Sequence, residues 1–139
     1  MVRRVASVRV ECPISASPDH IWDVIRDVGA VHERLLPGRV AGTEVENGRR
    51  FLTFPDGNVV EELIVAVDDE ARRFAYAVVA GARPPLEHHH ASFEVTPDGT
   101  LVWTADFLPD TAAAEVRVRM ERGLAEMAAV IAKSARPTP

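Results

Sequence analysis

The chain has 139 residues, 47% of them apolar, with a net charge of −5 and a pI near 5.5. That length fits one domain, residues 1–139, able to bury roughly two-thirds of its unfolded surface, and the acidity argues against nucleic acid, which calls for a basic face. A single cysteine, Cys12, excludes an intramolecular disulfide and a Cys-rich metal site, and no stretch approaches the ~20 continuous apolar residues of a membrane span.

In chain order, residues 3–11 read as a first strand with Val5, Val8 and Val10 as apolar members, and Cys12 is expected as a small core residue. The N-terminus leads into this β-like segment rather than into a signal-peptide apolar stretch, so the expected setting is cytoplasmic. Ser17-Pro18-Asp19 starts a helix: Ser17 suits the N-cap, Pro18 the first helical position, and Asp19 the first turn. That helix carries Ile21, Trp22, Val24, Ile25 and Val28 and ends at Gly29. A second short helix follows over residues 30–36, before Pro37-Gly38.

Six β-rich segments come next, at 40–46, 49–54, 59–67, 72–79, 88–95 and 100–108. Asn47-Gly48, Pro55-Asp56-Gly57, Asp68-Asp69-Glu70 and Pro97-Asp98-Gly99 separate several of them. Asn-Gly tolerates positive φ twice in succession, and Pro-Asp-Gly supplies a type I turn followed by a left-handed glycine. An amphipathic helix over 111–134 closes the chain, its stripe at Val116, Met120, Leu124, Met127 and Ile131 opposite Glu115, Arg119, Arg122, Glu126 and Lys133. At ~1.5 Å per residue it runs about 36 Å, enough to cross the sheet. Gly123 lies mid-helix beside that stripe, at a cost of ~1 kcal/mol relative to alanine, which predicts either close packing on a strand or room for a ligand. The tail at 136–139 is expected to fray. The whole is α+β: a seven-stranded curved antiparallel sheet gripping a long C-terminal helix, with two short helices closing one end.

Ser17-Pro18-x-x-Ile21-Trp22, the segment Glu62-x-Ile64…Asp68-Asp69-Glu70…Arg72-Arg73…Tyr76-x-Val78-Val79-x-Gly81, the Pro84-Pro85 loop and Thr100-Leu101-Val102-Trp103 carry a resemblance. The chain resembles the START-related (SRPBCC) helix-grip superfamily: bacterial polyketide cyclase/dehydrase and lipid-transport proteins, plant abscisic acid receptors and the major birch pollen allergen. The resemblance covers essentially the whole chain and implies a helix-grip fold with a cavity between sheet and long helix, opening near residues 81–86. Members bind very different ligands, so it specifies fold more than function. The receptors' Ser-Gly-Leu-Pro loop is replaced by Phe54-Pro55-Asp56-Gly57, and their hormone-binding lysine has no obvious counterpart, so hormone perception does not carry over.

Strand alternation selects the residues that face such a cavity. Phe74, Tyr76 and Val78 belong inside, Tyr76 also matching an aromatic pocket position of the family; His89 enters with Ala91, Phe93 and Val95; Leu101, Trp103, Ala105 and Phe107 form a third inward row. Met120 and Met127 suit a pliable floor, or plain core. The three consecutive histidines invite a metal reading, but alternation sends His88 and His90 outward and His89 inward, so no metal site is expected. His89 is either a satisfied wall residue or a group for proton transfer or ligand hydrogen bonding. Glu62 matches a family position that often turns a carboxylate inward; the residues leave it open between cavity and solvated edge, because Leu63, Val65 and Val67 are as apolar as Val60, Ile64 and Ala66. Inside, burial would raise its pKa unless it is paired, and with His89 it would form an acid/base pair. Arg50 and Asp106 are read as outward.

No nucleophile elbow, phosphate loop, dinucleotide glycine pattern or His-Glu-x-x-His occurs, and no cofactor is expected. Three functions compete: a carrier, sensor or sequestering protein for a small hydrophobic or aromatic molecule; a cyclase/dehydratase-type enzyme using His89 and Glu62; and an interaction domain with a collapsed cavity. The expected partner is that small molecule, without nucleic acid or membrane insertion, and a homodimer is among the assemblies the chain admits.

Overall fold

The computed structural model describes residues 5–135. Seven strands, β1 (Ala6–Pro13), β2 (Gly42–Glu46), β3 (Arg49–Thr53), β4 (Val59–Asp68), β5 (Arg73–Ala80), β6 (His88–Val95) and β7 (Thr100–Leu108), form one antiparallel sheet in the order β1-β7-β6-β5-β4-β3-β2. The sheet lies over α2 (Ala113–Ser134), while α1 (Pro18–Arg26) and a π-helical turn at Val31–Leu35 lie between β1 and β2 in the chain. This is the α+β helix-grip architecture. Apolar residues of the sheet, α1, the π turn and α2 share one core.

Turn chemistry sets the register. Asn47 and Gly48 both take positive φ (51° and 74°), the requirement of a two-residue type I′ hairpin, and this places Arg50 opposite Val45 on one side and Glu62 on the other. Asp68 Oδ1 accepts the N–H groups of Glu70 and Ala71 at 3.1 and 3.0 Å, capping the β4–β5 turn. The same turn is tied to α1, since the Trp22 indole and the Arg26 guanidinium both donate to Asp69 Oδ1, at 2.9 and 2.7 Å, and Arg72 pairs with Asp19. Ser17 caps α1 as its sequence predicts, its Oγ accepting the His20 N–H at 3.1 Å.

Several boundaries differ from expectation. The first strand begins at Ala6 and runs on to Pro13; residues 3 and 4, and the tail at 136–139, lie outside the described residues. Val5 is exposed because the buried members of β1, Val8 and Val10, have the opposite parity. Cys12 shares their parity but sits at the strand's end, half-buried rather than in the core. The second short helix contracts to the single π turn. A 3-10 turn, Asp110–Ala112, takes the place of the long helix's first residues.

Two glycines are fixed by space. Gly81 has φ +83°, and a Cβ there would lie 2.0 Å from the Val59 carbonyl oxygen, so nothing larger fits where β5 leaves the sheet. A Cβ on Gly123 would stand 3.4 Å from the Trp103 ring, so of the two reasons predicted for this mid-helix glycine the structure shows close packing on a strand.

Candidate functional site

Between the sheet and α2 lies a cavity of about 240 Å³. Its wall is built layer by layer along the concave face. Phe74, Tyr76, Phe93 and Trp103 form a continuous ladder of rings, with successive centroids 5.4, 6.2 and 4.9 Å apart and near-parallel planes. Tyr76, His89, Phe93 and Trp103 line the cavity from the sheet, and Met120 and Met127 line it from the helix. Phe74 does not. It is fully buried at the end of the ladder, beneath the Arg50 guanidinium, whose carbon stands 4.9 Å from its ring centroid. Leu101 and Phe107, also inward as alternation predicts, are fully buried core.

The largest departure from the sequence reading is Arg50, which points inward. Arg50 and Glu62 are paired across β3 and β4, each 5% exposed or less. Arg50 Nε donates to Glu62 Oε1 at 2.7 Å, and Nη2 lies 2.7 Å from the same oxygen. The guanidinium carbon also lies 5.6 Å from the Tyr76 ring centroid. Burial pushes the Glu62 carboxyl up from its ordinary value, and the charge and hydrogen bond of Arg50 pull it back. Because arginine does not release its proton, a neutral Glu62 would strand a buried cation, and the pair stays ionic. The sequence signal was available: Arg50 shares the parity of buried Leu52, and the Asn-Gly hairpin aligns it with Glu62.

Glu62 therefore lines the cavity, on the side its resemblance implies. The ambiguity of its strand has a structural cause, since β4 carries register shifts between Glu61 and Glu62 and between Ile64 and Ala66. Ile64 pairs with Tyr76 and Val67 with Phe74, so parity changes within the strand and apolar residues of both parities serve one face.

The other polar groups are Tyr76 and His89. The Tyr76 hydroxyl accepts the Trp103 indole N–H at 3.1 Å, which leaves its own proton to be donated. Burial, then the nearby Glu62 charge, hold that hydroxyl above its ordinary pKa. His89 lines the cavity, with His90 opposite Asp106 in the β6–β7 register. Burial, followed by the neighbouring His88 and His90, lowers His89 to about 4, so the imidazole is neutral at physiological pH. Its Nδ1 is buried without a hydrogen-bond partner among the described residues.

Ala82, Arg83, Pro84 and Leu86 of the β5–β6 loop line the cavity in the 81–86 segment where the resemblance implies an opening, while the other residues of the mouth were less legible. Val31 and Leu35 of the π turn, Leu36 after it, Phe54, and Arg119 of α2 are also part of the lining. The Arg83 guanidinium donates to Asp56 at 2.6 Å, linking that loop to the β3–β4 turn. The apolar i, i+4 spacing of Val31 and Leu35 was the available signal.

Such a sheet, folded over one long helix around an apolar cavity with a few convergent polar groups, defines a helix-grip protein of the ligand-binding type. The chain belongs to the polyketide cyclase/dehydrase and lipid transport family, whose profile matches residues 5–132. A search of curated protein sequences finds no match. Solved structures of the same fold include a norcoclaurine synthase from Thalictrum flavum (23% identity, 97% of this chain and 96% of that one, TM-score 0.75). They also include ginseng major latex-like protein 151 from Panax ginseng (17%, 96% and 99%, 0.78) and the protein XoxI from Bacillus cereus (18%, 94% of each, 0.72). No helix among the described residues is long and apolar enough to cross a membrane.

Proposed function

We propose that the protein binds a small hydrophobic or aromatic molecule in the cavity between the sheet and α2, as a carrier, sensor or sequestering protein. The observation that carries this reading is the cavity itself: about 240 Å³ of space walled by aromatic rings and methionines, where a domain without a ligand would close its core to interior packing density. Thermal denaturation across a panel of aromatic, isoprenoid and acyl compounds tests it. A true ligand at ~100 Kd adds about 2.7 kcal/mol to stability and raises Tm visibly. Tyr76→Trp, which fills the space from the sheet side, is expected to abolish the shift while leaving a folded protein; absence of any shift across the panel refutes binding.

A second reading, a cyclase/dehydratase-type enzyme, draws support from His89, a neutral imidazole at the cavity wall and so a base at pH 7. Glu62 supports it less, because its ion pair with Arg50, through Oε1, holds it as a carboxylate rather than as a proton donor. His89→Ala separates the two functions: a carrier loses affinity modestly, whereas an enzyme keeps binding and loses turnover.

A further inference from the structure

The polar end of the cavity specifies more than apolarity, and the selectivity it implies rests on the proposed binding function. Both Arg50 nitrogens that reach Glu62 meet one oxygen, Oε1. The second oxygen, Oε2, makes no hydrogen bond among the described residues, although the residue lines the cavity. Tyr76 lines the same cavity and has its hydroxyl proton to donate, since its oxygen already accepts from Trp103. An acceptor and a donor thus stand in one small space, a combination that a hydroxyl group satisfies at both ends, accepting from Tyr76 and donating to Glu62.

Charge narrows the class further. The Glu62 carboxylate is already balanced by Arg50, and the other two arginines of the lining, Arg83 and Arg119, pair with Asp56 and Glu115. An ion of either sign entering this largely apolar cavity would shed much of its hydration without finding an unmatched counter-charge, which is costly. Size narrows it again. On the scale of a cavity of about 150 Å³ that takes up benzene, or about 25 Å³ per non-hydrogen atom, 240 Å³ holds about ten such atoms. That is one or two rings, and too little for a long acyl chain.

We propose that the cavity selects a compact, uncharged ring compound bearing a hydroxyl group, held between Glu62 Oε2 and the Tyr76 hydroxyl, and that it excludes carboxylates, ammonium compounds and long acyl chains.

Titration calorimetry on the full chain with 2-naphthol, naphthalene, 2-naphthoate, 2-naphthylmethylamine and palmitate tests this. The expected result is tightest binding of 2-naphthol, with naphthalene and both ionic analogues weaker by about tenfold or more, and no uptake of palmitate. Tyr76→Phe, which keeps the ring, is expected to weaken 2-naphthol by about 2- to 13-fold, the range of one neutral hydrogen bond, with naphthalene unchanged. If naphthalene, an ionic analogue or palmitate binds as tightly as 2-naphthol, or if Tyr76→Phe weakens naphthol and naphthalene equally, the selectivity is overturned while the binding function stands. If none of the five binds, the selectivity is overturned as well, and the binding function falls with it only if the wider thermal panel is also silent.

Discussion

The chain uses arginine–carboxylate pairs in two places with opposite meaning. At the mouth, Arg83 and Asp56 join two turns with more than half of each side chain in water; in the floor, Arg50 and Glu62 meet with 6% of each side chain exposed. Exposed pairs gain little, because water and salt screen them and two long side chains must be ordered. The buried pair surrenders the hydration of two ions, and apolar residues of similar volume would often serve stability as well or better. An ion pair kept at the wall of a cavity is therefore weak evidence for stability and a pointer to recognition.

The sharpest way to break this comparison is to remove one partner from the floor. Glu62→Ala strands the Arg50 cation against Phe74 and Tyr76 and is expected to cost about 3–5 kcal/mol in chemical denaturation. Replacing both partners, Arg50→Met with Glu62→Leu, is expected to restore most of that stability and to abolish discrimination among cavity ligands. A double variant as unstable as the single one would mean that the pair holds the fold together.

The next effect is set by pH. His89 is lowered to about 4 in the fold against 6.5 when free, so the folded state favours the neutral imidazole. A depressed folded value means its contribution is whole above pH 6.5 and is lost as pH falls from 6.5 toward 4. The loss is at most about 3 kcal/mol from one residue. Stability measured between pH 4 and 7 should fall on acidification in the wild type and less steeply in His89→Phe; equal slopes would show that His89 is protonated without penalty.

The smallest effect belongs to the mouth. Arg83→Ala leaves an exposed Asp56 that water solvates and that still accepts the Asn58 N–H, and its denaturation midpoint should be indistinguishable from the wild type at physiological salt. A measurable destabilisation would put the mouth and floor pairs in the same class.

The sequence discloses these two regions unequally. Period-two alternation with the turn residues places Tyr76, His89, Phe93 and Trp103 on the concave face, and the helical stripe places Met120 and Met127 opposite them, because one face of each element must be apolar. Arg50 escapes that logic: a charge reads as solvent-facing until its cross-strand partner is known. Phe74 has the right parity yet lies at the ladder's buried end, since alternation fixes a face but not a depth. The bulges of β4 and the loop residues Arg83 to Leu86 depend on tertiary packing and carry no periodic signal.

The most direct test of an open, ligand-binding cavity is to watch its walls during a titration. Met120 and Met127 both line it, and 13C-labelled methionine methyl signals report on each. With 2-naphthol, both are predicted to shift in a saturable manner in the wild type and to stay unmoved in Tyr76→Trp. Signals that do not move in the wild type, or that move equally in Tyr76→Trp, would contradict binding in this cavity.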